Sequence, residues 1–354
     1  MNKATNQRLL EYFESSFLKP LLEDELITDI SFNGKELFYQ HNEDGRLKSQ
    51  IELKQIDVQN FLRHIANLSE QQFSYAEPIL DISIGKYRLN AIHYAIGRVD
   101  NEKASTFSLR IASKISRIIL NDNFMPTALN YLLEVLVINY QSIVIAGKTG
   151  TGKTELQKYL LQKISPFSRV IIIDNVQELS YFEIKNNLDL NSWEVNELIK
   201  RASFQELIRN ALRSNPDWLI VAESRGQEMD DVLSAAMTGH PLITTLHAKD
   251  VYSIASRMTR MVLMSNKLSS YQEVLDDIYE HFRYFIFVNK KNDKNGKIIR
   301  YIEKVLEYDA LTKTNILLYE KKHHRNIFNK PSTYTINLIK QSSYKKELFE
   351  VFDL

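Results

Sequence analysis

Gly147, Gly150, Gly152, Lys153 and Thr154 stand at the spacing G-x-x-x-x-G-K-[S/T]. That spacing suits the holding of phosphate groups. Glycines let the backbone fold close around phosphate oxygens, so that its N–H groups point inward. The N-terminus of a following helix adds partial positive charge. Lys153 has the reach for terminal phosphates, and the Thr154 hydroxyl can bind Mg²⁺. The candidates for nucleotide contact are therefore Gly147, Lys148, Thr149, Gly150, Thr151, Gly152, Lys153, Thr154 and the adjoining Glu155.

Other chemistry-bearing residues follow short apolar runs. Glu223 ends DWLIVAE, where a carboxylate can hold Mg²⁺ or its water. Asp174 ends RVIIID and Glu178 follows it, and either can orient or deprotonate an attacking water. His247 ends PLITTLH, where an imidazole can sense a terminal phosphate or serve a structural purpose. Five arginines offer phosphate-matching forks: Arg88, Arg110, Arg209, Arg213 and Arg225. Periodicity alone does not choose among them.

These residues need a frame. SIVIAG before the glycines predicts a buried strand, and Leu156, Tyr159, Leu160 and Leu161 after them predict a helix. Beyond Pro126, helix and strand alternate: a helix over Thr127–Asn139, strands RVIIID and LDL, a helix over Phe204–Arg213, the strand DWLIVAE, a helix over Glu228–Met237 and the strand PLITTLH. Such alternation implies a parallel sheet covered on both faces. A helix-rich stretch to about His281 precedes RYFIFVNK, KIIRYIEKVLEY and TNILLYE, which predict an antiparallel meander with a turn at Asn295-Gly296. The tail, Thr333 to Phe352, predicts a closing helix. Ahead of all this, Gln7–Leu22 has an amphipathic helical pattern loosened by Pro20. Short strands before and after a helix over Val58–Leu68 complete an α+β domain over residues 1–112. The polar stretch 113–125 predicts a linker, and 126–354 a second domain.

The chain's 354 residues carry 45 basic and 44 acidic side chains, a balance without a nucleic-acid signature. There is no cysteine, hence no disulfide framework and no Cys-ligated zinc. MNKATNQRLLEYFESS lacks the apolar centre of a signal peptide, and no apolar run approaches the roughly 20 residues of a membrane span. The expectation is a cytoplasmic protein, able to dock at the inner face of a membrane.

GKTGTGKT, IIIDNVQEL, LIRNALRSNPDWLIVAESRG and AAMTGHPLITTLHA, in this order, resemble the secretion and traffic ATPases that serve type IV secretion, conjugation, and pilus or type II secretion machines. There they are the Walker A loop, the Asp box, the Walker B box with its G-E-x-R, and the His box. LITDISFNG, GRLKS, PILDISIGKYRLNAI and TFSLRIA resemble the first domain of the conjugation and Tad-pilus branch. The resemblance spans about residues 26 to 310. It implies a RecA-like P-loop domain behind a smaller, PAS-like α+β domain, assembled as a homohexameric ring that hydrolyses ATP with Mg²⁺ to drive an inner-membrane machine. By the resemblance, Lys153 and Thr154 hold phosphate and Mg²⁺, Glu178 is the catalytic base or water-orienting residue, and Glu223 is the Walker B carboxylate. His247 couples the site to movement, and Arg110 with Arg88 reaches the phosphates from the first domain. Arg209, Arg213 and Arg225 serve the site or a subunit interface.

The chain departs from the pattern in Asp174-Asn175 for Glu-Asp, in Ala222-Glu223 for Gly-Glu, and in a His box shortened at Pro241-Leu242. The four-cysteine zinc module of many type II secretion ATPases and the usual first-domain signature of the pilus and type II branch are both missing from the sequence, so the resemblance favours the conjugation or type IV secretion branch. A pilus-assembly or competence ATPase and a RecA-like nucleic-acid translocase are the alternatives, although no stable nucleic-acid binding is expected.

Overall fold

The computed structural model describes residues 3–114, 116–117, 123–175, 178–180, 182–184, 187–196, 199–265, 269–322 and 325–354. The chain divides into two compact units, one of residues 1–115 with 292–298, the other of residues 116–291 with 299–354. Much of the expected linker, residues 115 and 118–122, lies outside the described residues.

The first unit contains helices α1 (Lys3–Ser15), α2 (Lys19–Leu22) and α3 (Gln55–Leu68). Its strands are β1 (Ile27–Phe32), β2 (Leu37–His41), β3 (Gly45–Lys48), β4 (Ile79–Ile84), β5 (Tyr87–Ile92), the short β6 (Arg98–Val99) and β7 (Glu102–Lys103), and β8 (Thr106–Ile111). The single helix expected over Gln7–Leu22 is interrupted after Ser15. Ser16 Oγ donates to Phe13 O at 2.7 Å and accepts from Leu18 N at 3.2 Å, diverting the backbone just before Pro20, which has no N–H to give. Six strands form a sheet in the order β3-β2-β1-β8-β5-β4, antiparallel at every pair. The side chains of β4 and β8 alternate between exposed and buried. Their buried set joins Leu9 and Phe13 of α1 and Phe61, Leu62 and Ile65 of α3 in one core. One face of the sheet is therefore covered, and the other carries the polar residues.

The second unit opens with α4 (Thr127–Ile138), β9 (Ile143–Ala146), α5 (Lys153–Leu161), β10 (Arg169–Asp174) and β11 (Asp189–Glu194). Next come α6 (Phe204–Arg213), β12 (Trp218–Val221), α7 (Met229–Met237), β13 (Leu242–Leu246), α8 (Ser253–Leu263) and α9 (Tyr271–His281). It closes with β14 (Tyr284–Asn292), β15 (Ile298–Asp309), β16 (Thr314–Lys322), β17 (Arg325–Phe328), α10 (Thr333–Lys340) and α11 (Lys345–Phe352). The sheet order is β11-β10-β12-β13-β9-β14-β15-β16-β17. The first six of these strands run parallel; the alternation of helix and strand predicts this for β9 to β13.

Central strands are buried along their whole length because helices cover both faces. Ile143, Ile145, Val170, Ile172, Trp218 and Ile220 point into one core, with α4, α5, α10 and α11. Val144, Ala146, Ile171, Ile173, Leu219 and Val221 point into the other, with α6 to α9. The expected C-terminal meander is present: β14 to β17 are neighbours in chain order, β15 to β17 pair antiparallel, and a turn at Gly296 joins β14 to β15. What the expectation lacked is that β14 also lies parallel beside β9, so the meander extends the parallel sheet, and that two helices close the chain. Phe285, Ile286, Phe287 and Val288 explain the placement of β14 beside β9: the run is apolar on both sides, which suits a strand covered on both faces. Among the described residues no helix is long and apolar enough to cross a membrane.

Candidate functional site

In a parallel sheet, loops that follow the strands gather at one edge. The loop after β9, Glu223 after β12, His247 after β13 and the turn after β10 meet there.

The loop is tight. A Cβ on Gly147 would stand 2.3 Å from Val288 O and 2.7 Å from Thr151 Oγ1. Gly150 and Gly152 have φ of +72° and +98°, and Gly152 is the residue from which α5 starts. Thr151 Oγ1 donates to Lys148 O at 2.9 Å and pins the turn. Lys153, on the first turn of α5, is buried, and its Nζ donates to Gly147 O at 3.2 Å and Lys148 O at 3.3 Å. Thr154 and Glu155 follow on the same turn.

Leu246 pairs with Ala146, so His247 and Gly147 are neighbours at the strand ends. His247 Nδ1 lies 3.1 Å from Gly147 O and 3.4 Å from Lys153 Nζ. The first contact uses a protonated Nδ1 and the second an unprotonated one. Its other nitrogen, Nε2, lies 2.9 Å from Glu223 Oε1. Glu223 Oε2 accepts from Arg225 Nη2 at 2.8 Å. Burial pushes the Glu223 carboxyl up. The hydrogen bond and charge of Arg225, with His247 and Lys153 behind it, outweigh burial and hold the carboxyl below the usual glutamate range. The Arg225 N–H donates to Glu228, which also accepts from Gly226 N at 2.9 Å. Glu223, Glu228 and Glu178 all favour the charged form of Arg225, so Glu178 belongs to the same electrostatic neighbourhood. Asp174 is fully buried and accepts from Leu179 N at 3.0 Å, which fixes the turn carrying Glu178.

Arg209 and Arg213 are exposed on α6, where Arg209 Nη1 pairs with Glu206 Oε1 at 3.6 Å. Arg88 and Arg110 belong to the first unit and stand opposite each other on β5 and β8.

Three contributors escaped the sequence reading. Gln157 of α5 is buried and donates to Val221 O at 3.0 Å and Ile243 O at 3.2 Å, tying the helix behind the loop to the strands that carry Glu223 and His247. A polar residue beside Leu156 on an apolar helical face was its signal. Lys290 and Arg300, from β14 and β15, reach Gly150. Their signal is legible only once β14 is known to lie beside β9.

The residues present fit a magnesium–nucleotide pair. The loop admits no side chain at Gly147, and Glu223 Oε1 is buried without an aligned hydrogen bond although His247 Nε2 is close. A carboxylate oxygen with spare acceptor capacity, at the sheet edge where the loop leads into the helix that carries Thr154, suits a hard divalent cation.

The family model described as type II/IV secretion system protein matches residues 98–278, just over half of the chain. A Mycobacterium tuberculosis protein named for conjugal transfer is 26% identical over 266 residues, covering 72% of this chain and 75% of its own. The type IV secretion system protein PtlH of Bordetella pertussis is 35% identical over 146 residues, 41% of this chain and 43% of its own. The ATPase DotB of Legionella pneumophila superposes with a TM-score of 0.61 at 20% identity, over 88% of this chain and 83% of its own, a likeness of fold.

Proposed function

Because the chain belongs to the family of type II/IV secretion system proteins, we propose that it is a Mg²⁺-dependent ATP hydrolase that powers a type IV secretion or conjugative transfer machine. The observation that carries the reading is the convergence of Lys153, His247 and Glu223 on the Gly147–Thr154 loop. The names of the Bordetella and Mycobacterium relatives support the choice of machine.

The loop N–H groups and Lys153 would bind the phosphates of ATP. Thr154 and Glu223 would hold Mg²⁺, which supplies charge neutralisation on the phosphate oxygens when bound. Glu178 orients the attacking water and takes its proton, on a turn fixed by Asp174. His247, between Lys153 and Glu223, relays the phosphate state to β13 and the elements beyond it. Arg88 and Arg110 of the first domain close on the phosphates when ATP is bound and release after hydrolysis, a switch by ordered phosphate contacts. Exposed Arg209 and Arg213 are assigned to the neighbouring subunit's interface in a homohexamer, and Arg225 to the site beside Glu223. We take residues 1–112 as the first domain, 113–125 as the linker and 126–354 as the ATPase domain, with the ring at the inner face of the membrane.

The test is phosphate release by the purified chain with Mg²⁺ and ATP. Lys153→Ala is expected to abolish release. Glu178→Gln is expected to slow it while leaving ATP binding intact. Unchanged turnover in either variant refutes the site.

A further inference from the structure

Gly150 lies in the middle of the phosphate loop with φ +72°. Its carbonyl accepts from Arg300 Nε at 2.9 Å. The Arg300 side chain also runs past Gly152, where a Cβ would meet its Cδ at 3.5 Å. Lys290 approaches the same glycine from β14, its Nζ 3.0 Å from where a Cβ on Gly150 would stand. Two cations, from strands that contribute nothing to the boxes recognisable in the sequence, thus flank the loop's two left-handed glycines.

The pair brings two like charges to one side of the loop. Burial pushes the Arg300 guanidinium down, Glu155 opposes that, and the charge of Arg117 adds to it. Lys290 is solvent-exposed, and its amine is pushed down only by partial desolvation and by the charge of Arg300. Like charges held together next to a loop of inward-facing N–H groups are relieved by a polyanion.

We propose that Arg300 and Lys290 form a cationic clamp on the outside of the phosphate loop, which holds the loop in shape for the polyphosphate of a nucleoside di- or triphosphate. Arg300 is the positioning residue: by fixing the Gly150 carbonyl it sets the adjoining N–H groups toward the phosphates. Lys290 supplies charge that favours the bound state. The proposal rests on the reading of the loop as the nucleotide site.

The experiment titrates a fluorescent ATP analogue with Mg²⁺ into the full chain and measures Tm with and without nucleotide. Arg300→Ala is expected to weaken binding about tenfold, the worth of a charge-assisted hydrogen bond, and Arg300→Lys to recover most of it. Lys290→Met is expected to leave the nucleotide-free Tm equal to or above the parent's while weakening binding. A structural tie would move these two quantities together. Unchanged affinity in folded Arg300→Ala and in Lys290→Met overturns the clamp. Should Arg300→Ala not fold, Lys290→Met and Arg300→Lys decide the matter. If the parent chain binds no nucleotide, or Lys153→Ala binds as tightly as the parent, the reading of the loop itself has failed, and the clamp falls with it.

Discussion

His247 Nε2 stands 2.9 Å from Glu223 Oε1, across the ends of adjacent parallel strands. The opposite nitrogen of the same ring lies 3.4 Å from Lys153 Nζ. One imidazole therefore touches both the carboxylate assigned to the metal and the lysine assigned to the phosphates. When Lys153 turns to a phosphate, its contact with Nδ1 is released, and Nδ1–H can satisfy Gly147 O instead. This gives the ring two arrangements that differ with the state of the loop.

His247→Ala should therefore impair turnover more than binding. We expect kcat to fall about ten- to a hundredfold and nucleotide affinity to change by less than about threefold, since the ring contacts groups around the substrate. Steady-state kinetics and a direct nucleotide titration separate the two. A raised KM at unchanged kcat would assign His247 to substrate binding and remove its coupling role.

The Glu223 carboxyl, held below its ordinary value of 4.5, links the site to pH. A carboxyl lowered in the folded state contributes stability that is fully present above the unfolded-state value and is lost as pH falls toward the native one. The Tm advantage of the parent over Glu223→Gln should thus be constant near neutral pH. It should shrink as pH drops through and below 4.5. Paired melts of the two proteins across that range measure it, and an advantage that grows on acidification would contradict the ion-pair account.

Asp174 should matter to rate through the turn that it anchors. Its buried carboxylate receives Leu179 N–H at 3.0 Å and so anchors the turn of Glu178. Asp174→Ala leaves that buried donor without its acceptor, at a cost of about 1–3 kcal/mol. We expect a lower Tm and a lower kcat at nearly unchanged nucleotide affinity. A kcat equal to the parent's would show that the turn holds its shape without Asp174.

Much of this site was legible in the sequence because its residues are local to strand ends. Gly147–Thr154, Glu223 and His247 each follow a short apolar run, and a parallel sheet carries such positions to one edge regardless of strand order. Lys290 and Arg300 were not legible for the opposite reason. Their contact with Gly150 depends on β14 lying beside β9, a pairing of strands far apart in the chain that no local pattern encodes. Gln157 was hidden by its helix, where its partners are carbonyls of β12 and β13. The break after Ser15 was half legible: Pro20 announced it, and the Ser16 side chain set its position.

Gly147 gives a steric prediction. The oxygens that its added Cβ would meet belong to Val288, a backbone atom of a central strand, and to the Thr151 hydroxyl that pins the loop. Neither can retreat without breaking the sheet or the turn. Gly147→Ala should cost about 1–3 kcal/mol from overpacking and should abolish nucleotide-induced stabilisation. A parent-like Tm shift with ATP would mean that the loop opens readily, which its hydrogen bonds argue against.

Arg88 and Arg110 face each other directly in the β5–β8 register. Like charges directly opposite in a sheet are unfavourable. Arg88 Nε is 3.8 Å from Asp81 Oδ1 and Arg110 Nε is 4.0 Å from Asp29 Oδ1, both pairs at least partly exposed and worth little. If the pair exists to meet phosphate, removing either member should separate stability from activity. Arg110→Ala and Arg88→Ala should keep Tm within the range of an ordinary surface change, about 0.5 kcal/mol. Both should cut turnover about a hundredfold, the usual cost of losing one donor to transition-state charge. Thermal melts and phosphate release on the same preparations test both halves. Loss of stability with turnover intact would make the pair a feature of the sheet and leave the phosphates to the loop alone.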